Sequence, residues 1–201
     1  MRSTILTHED GVLDYDEDQH KYWLDGQPIP SVSQLLKGDY PFRGKPGFAN
    51  RGTAIHAATI EAEAGMIDLV PDEIRGFAEQ WLRVLTLLQA SSVSFEAPVF
   101  SRSLWYAGRF DRMLLIGGEL VLIDIKSGSK AASHPIQLAG YAHAWHELKR
   151  PIISRYMVIY IKGESYSIDE VKGPRLAEAT QLWREITTKQ RLEHLKAGNE
   201  K

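Results

Sequence analysis

The 201-residue sequence contains no cysteine. That excludes disulfides, thiolate zinc sites, cysteine-held iron–sulfur clusters and cysteine nucleophiles. No apolar run approaches the roughly 18 residues of a membrane span. The opening stretch Met1–Asp10 turns acidic before the apolar core of a signal peptide can develop. A soluble protein of the cytoplasm, with no membrane partner, is the expectation. Internal repeats and low-complexity tracts are absent as well. So is an excess of one charge: 24 basic side chains stand against 26 acidic ones, a formal net of −2. At face value this balance speaks against a nucleic-acid partner. What remains is ordinary globular material, 43% hydrophobic and 25% charged. A chain of this length buries about 70% of its unfolded surface, enough to need no staple.

The charge is unevenly spread. Residues 1–30 carry a net of −5, residues 31–60 a net of +3, residues 61–100 a net of −5 and residues 101–162 a net of +5. Two basic segments are therefore diluted by acidic neighbours, and an anionic ligand that meets only one face would not sense the average.

Asp25-Gly26 predicts a small hairpin in residues 21–29, with Trp23 as a core plug in preference to a wedge that stacks on a base. Ser31 is placed to cap a short helix through Leu36. Glycines and prolines make 37–50 a loop, which holds the basic Arg43 and Lys45. A helix is expected over about 51–64, with Ile55, Ala58, Thr59 and Ala62 on its apolar face. Pro71 opens a second helix, whose stripe of Ile74, Phe77, Ala78, Trp81, Leu82, Leu85 and Leu88 is the strongest helical signal in the chain. Strands follow at roughly 94–100, 105–116 and 119–126, then a helix over 135–149, a strand over 152–161 and a last helix from Pro174 to about Leu195. Strand, helix, strand over 119–161 is a crossover unit, which requires a parallel pair inside a mixed sheet.

The chemistry concentrates on one hairpin. Gly117-Gly118 separates two apolar runs and suits a two-residue turn, since both central positions need positive φ. Residues paired across that turn have numbers summing to 235, which sets Asp111 opposite Asp124. Like charges directly opposite are destabilising, and burying them unpaired costs several kcal/mol. A hard divalent cation removes the conflict. Asp124 and Lys126 share a face, while Ile125 points into the core and leaves its carbonyl near the acids. Glu96, on the preceding strand, is expected opposite Arg109 and diagonal to Asp111. An ordinary Asp–Lys or Asp–Arg ion pair on an exposed sheet would use the same residues.

Gly108-Arg109-Phe110-Asp111, Ile123-Asp124-Ile125-Lys126-Ser127-Gly128 and Gln137-Leu138-Ala139-Gly140-Tyr141, preceded by Arg51-Gly52-Thr53-Ala54-Ile55-His56, resemble the PD-(D/E)XK nuclease superfamily. Within it they are similar to the RecB-like exonuclease branch, which includes phage recombination exonucleases and CRISPR-associated nucleases. The resemblance covers about residues 51–162. It implies that Asp111, Asp124, the Ile125 carbonyl and His56 hold Mg²⁺ or Mn²⁺, that Glu96 is a further ligand where a second ion binds, and that Lys126 is the catalytic lysine. It implies that Gln137 and Tyr141 touch substrate or order the site. Arg51, Arg109 and Ser127 are the other candidate substrate contacts. The first acidic motif is only loosely matched. Relatives with a four-cysteine iron–sulfur cluster are a subgroup that this chain cannot join.

The expected architecture is thus an α/β restriction-endonuclease-like core: a central mixed sheet of about four strands flanked by helices, with an N-terminal hairpin. Residues 1–50 would form the appendage and 51–201 the core, within one compact domain. The expected activity is Mg²⁺- or Mn²⁺-dependent hydrolysis of DNA, from an end, in recombination or repair. A recombination or single-strand-annealing protein is the partner such a context suggests. The alternatives are an endonuclease and a catalytically silent DNA-binding module of the same fold. His134 is expected in a loop close after the lysine strand, where it could meet phosphate although a loop histidine usually has no role, and His143 and His146 on the solvent side of their helix.

Overall fold

The computed structural model describes residues 3–16, 19–40 and 48–199. Arg43 and Lys45 lie outside these. The chain opens with four antiparallel strands in sequential order: β1 (Ser3–His8), β2 (Gly11–Asp16), β3 (Lys21–Leu24) and β4 (Gln27–Ile29). The expected hairpin is therefore half of a sheet. Its turn has positive φ at Asp25 (51°) and Gly26 (76°), as an Asp-Gly turn requires. Ser31 caps α1 (Val32–Asp39) through a full capping box. Its hydroxyl accepts from the Gln34 amide at 3.1 Å, and Gln34 accepts from the Ser31 amide at 2.8 Å.

The main sheet has five strands, one more than expected: β5 (Ser91–Ser101), β6 (Tyr106–Ile116), β7 (Glu119–Lys126), β8 (Arg155–Lys162) and β9 (Ser165–Glu170). They lie in sequential order, and β7–β8 is the parallel pair. Its crossover is α4 (Ser133–Glu147). The other long helices are α2 (Phe48–Glu63), α3 (Asp72–Leu88) and α5 (Pro174–Asn199). Pro71 is the N-cap of α3 rather than its first helical residue.

Because β7 is central, both its faces are covered, and the alternation of its side chains assigns each layer. Val121, Ile123 and Ile125 pack with Ile55 of α2 and with Phe77, Trp81 and Val84 of α3. Leu122 faces the other way, into a core shared with Ile136, Leu138, Tyr141 and Trp145 of α4 and Trp183 of α5. Leu13, Tyr15, Tyr22, Leu24 and Ile29 of the N-terminal sheet join that same core. The Ala107 amide donates to the Pro30 carbonyl at 2.9 Å, tying the N-terminal sheet to β6. Among the described residues, no helix is long and apolar enough to cross a membrane.

Candidate metal and nucleic-acid site

The β6–β7 hairpin turns at Gly117 (φ 60°) and Gly118 (φ 86°). Its ladder follows the sum of 235 from Ile116–Glu119 to Arg112–Ile123 and stops there. At the next step the Asp111 carboxylate, not a ladder partner, takes the Ile125 amide at 2.6 Å. The two strands thus part at Asp111, and the candidate site sits in the fork. Asp111 (6% exposed) and Asp124 (0%) are both buried there.

Three further elements feed the fork. The β5–β6 pairs Phe95–Arg112 and Ala97–Phe110 put Glu96 across from Asp111. The expected position opposite Arg109 is therefore corrected by two residues. The turn-closing pair Ser101–Tyr106 sets this register; a bulge between Ser92 and Ser94 lies beyond Glu96, which itself adopts φ 45°. The side chain still finds Arg109, whose Nε lies 3.0 Å from Glu96 Oε2. The Arg109 guanidinium also stands over the Tyr15 ring at 5.0 Å, so the N-terminal sheet helps to fix it.

From α2, His56 reaches into the same space. Its Nε2 donates to the Ile125 carbonyl at 3.0 Å. Its Nδ1 lies 3.3 Å from Glu96 Oε1 and 3.4 Å from Asp111 Oδ1. Only a doubly protonated imidazole can serve all these acceptors. Burial alone would push its pKa down. The Asp111 and Glu96 carboxylates outweigh that and raise it to about 9. One ligand atom each from His56, Glu96 and Asp111 lies within 4.8 Å of the others.

Asp124 stands outside that cluster, paired with the lysine two residues on. Lys126 Nζ donates to Asp124 Oδ1 at 2.9 Å and lies 2.8 Å from Oδ2, which nevertheless has no hydrogen bond of good geometry. Burial and the neighbouring Asp111 raise the Asp124 pKa, against the opposing pull of Lys126. Burial opposes the charge of Lys126, but Asp124 and Asp111 win and raise its pKa. The expected face-to-face acid pair is thus divided: Asp111 joins His56 and Glu96, and Asp124 joins Lys126.

From α4, Gln137 donates to the Tyr141 hydroxyl at 2.9 Å, as their spacing of four allows. Tyr141 is buried, and its pKa is driven up by burial and then by the Asp124 and Asp111 charges. Its ring needs a glycine beneath it, because a Cβ on Gly108 would sit 2.6 Å from Tyr141 Cε1. Ser127 is half-buried next to Lys126. Arg51 is exposed, and its guanidinium lies over Phe77 of α3 at 5.0 Å, a contact with the helix layer rather than with the fork. His143 is half-buried against the Tyr106 hydroxyl at 3.2 Å, which corrects its expected solvent placement. Trp23 is half-buried in the groove of Pro28, Pro30 and Gln34 rather than fully enclosed.

A supporting network escaped the sequence reading. Arg112 is fully buried. Its guanidinium donates to Glu63 Oε1, to the Asp111 carbonyl and to Thr59 Oγ1, each at 2.8 Å. Thr59 in turn donates to the His56 carbonyl at 2.7 Å, and Trp81 donates to Glu63 at 2.7 Å. One guanidinium therefore touches both the strand carrying Asp111 and the helix carrying His56. The available signal was the spacing of His56, Thr59 and Glu63, three and then four apart, which is a polar stripe along one helix.

The protonated His56 makes a test possible without any activity. Its folded pKa of about 9 exceeds the ordinary 6.5. The stabilisation is complete below pH 6.5 and is lost as pH rises through 9. In chelator, unfolding free energy is expected to fall by about 3 kcal/mol over that interval. His56→Gln should flatten the profile. Urea denaturation at several pH values measures both.

No family model matches the chain, and no curated protein matches it. Among solved structures it is similar to that of SSO0001, at 15% identity, with 78% of this chain and 83% of that chain covered and a TM-score of 0.35. A likeness of that degree carries no argument about fold or activity.

Proposed function

We propose that the chain is a divalent-cation-dependent deoxyribonuclease that acts on DNA ends in the cytoplasm, in recombination or repair. The observation that carries this reading is the convergence of His56, Glu96 and Asp111 beside the Lys126–Asp124 pair, at one fork in the sheet. The resemblance of the same residues to PD-(D/E)XK motifs supports it.

The donor set suits a hard cation. Carboxylate and carbonyl oxygens with one imidazole are the chemistry that Mg²⁺ and Mn²⁺ accept. Asp124 Oδ2 is a buried oxygen still lacking a well-aligned donor. The His56 imidazolium already supplies positive charge to two acids and a carbonyl. Once His56 has given up a proton, His56, Glu96, Asp111, Asp124 and the Ile125 carbonyl would hold the ion, which when bound supplies Lewis acidity toward a phosphodiester. The chain's own residues do the rest. Lys126 positions the attacking water and balances phosphate charge. Arg109, braced by Glu96 and Tyr15, faces the anionic strand. Gln137 and Tyr141 form a polar wall on the α4 side.

Linear duplex and single-stranded DNA, labelled at the 5′ or 3′ end, should be degraded with Mg²⁺ or Mn²⁺ and spared in EDTA. Covalently closed circles should survive. Cutting of circles would turn the reading to an endonuclease. No cutting of any DNA with either ion would end it.

A further inference from the structure

The fork has a second flank, away from the acids. Tyr160 of β8 is paired in register with Lys126, so its side chain stands beside the lysine. His134 is in the first turn of α4 rather than in a loop. Its Nδ1 meets the Tyr160 hydroxyl at 2.9 Å, with ring centroids 5.6 Å apart. The Lys130 ammonium lies 5.5 Å from the Tyr160 ring centre.

The charges around this pair are those of Lys126, Asp124, Lys130 and, beyond them, Asp169 and Arg175. Asp169 is engaged by Arg175 through two bonds, at 2.8 and 3.1 Å, and by Lys130 at 3.7 Å. Asp124 is engaged by Lys126. What the flank offers outward is therefore positive or donating. Burial, then Lys126, lowers the His134 pKa, which keeps the ring neutral. The Tyr160 hydroxyl occupies Nδ1, while Nε2 has no hydrogen-bond partner among the described residues; in the tautomer where the hydroxyl donates, Nε2 carries the ring proton. A ring held at Nδ1, with Nε2 able to carry the proton and two ammonium groups in the neighbourhood, suits an oxyanion.

We propose that His134, held by Tyr160 and assisted by Lys130, binds a backbone phosphate of the DNA strand next to the one that is cut. This rests on the nuclease reading and deepens it: the acid flank takes the cation, and the lysine flank takes the neighbouring phosphodiester. His134 is a substrate-binding residue here, and Tyr160 its positioning residue.

The test compares wild type with His134→Ala, His134→Gln and Tyr160→Phe. Oligonucleotide affinity is measured with Ca²⁺ in place of Mg²⁺, and KM and kcat are measured with Mg²⁺. His134→Ala should raise both Kd and KM about tenfold, the loss of one charge-assisted hydrogen bond, with kcat within about twofold of wild type. Glutamine, which keeps an N–H donor, should recover most of the loss. Tyr160→Phe should fall between. In protein labelled with ¹⁵N-histidine, the His134 Nε2 resonance should shift when the oligonucleotide is added. An active wild type with unchanged Kd and KM in His134→Ala overturns the proposal and leaves the nuclease reading intact. A fall in kcat at constant KM also overturns it. A wild type that neither binds nor cuts DNA overturns both.

Discussion

Lys126→Ala should abolish most DNA hydrolysis, by about 10²–10⁴-fold, the range for loss of a positioned proton-transfer group. It should also weaken the metal-free protein, for a separate reason. Lys126 is the cation beside both oxygens of fully buried Asp124. Removing one member of a buried pair strands the other, at a cost of about 3–5 kcal/mol. Mn²⁺ should restore much of that stability without restoring activity, because the ion can offset Asp124 but cannot replace the ammonium. Lys126→Arg separates the two effects in the opposite direction. It keeps the charge and hence the fold, but it presents a planar fork in place of a compact ammonium, so activity should remain low. Thermal unfolding with and without Mn²⁺, read beside a nuclease assay, tests all of this. An active Lys126→Ala protein would sink the mechanism.

Arg112→Met should destabilise the fold about as much as Lys126→Ala, without touching the lysine. Methionine matches much of the arginine's volume but leaves Glu63 without its cation and Thr59 and the Asp111 carbonyl without their donor. The expected loss is about 3–5 kcal/mol. Adding Glu63→Gln should return part of it, since the stranded charge is then gone. The more informative result is cation affinity. Arg112 joins the His56 helix to the Asp111 strand through Thr59, so Thr59→Val should weaken Mn²⁺ binding, and should also cost about 1–3 kcal/mol for the buried guanidinium N–H it strands. Thr59→Ser should restore it. Calorimetric titration with Mn²⁺ alone, beside urea denaturation, reads both quantities. Equal Mn²⁺ affinity in wild type and Thr59→Val would remove the positioning role.

The legible parts of the fold are those in which local chemistry agrees with global placement. Gly117-Gly118 fixed a turn, and the turn fixed the register as far as Arg112–Ile123. The apolar stripe of α3 and the crossover through α4 were equally plain. The missed strands are polar ones. In β9 the sequence Ser165-Tyr166-Ser167-Ile168-Asp169-Glu170 lies at the sheet edge, where one side needs no apolar cover. The strands β1 and β2 meet at an acidic turn that reads as solvent-facing coil. The place of Glu96 was illegible for another reason: the β5–β6 turn closes at Ser101–Tyr106, and moving a turn by one residue along both strands moves every pairing by two without a mark in composition. Arg112 was hidden by expectation, since arginines are rarely fully buried. The candidate site was thus readable residue by residue, whereas its division into an acid cluster and a lysine pair came only from the fold.

The fork where β6 leaves β7 also bears on how the molecule matures. The Ile125 carbonyl and the histidine that meets it are 69 positions apart in the chain. Glu96 and Asp111 arrive on two further strands, and the floor of the fork requires β8 to have docked in parallel. Contacts this distant in sequence form late, after the loop-closure entropy of several segments has been overcome. A chain in which β8 has not yet docked would hold every motif residue without the assembled geometry. Whatever the site does to its substrate, it can begin only when folding is complete.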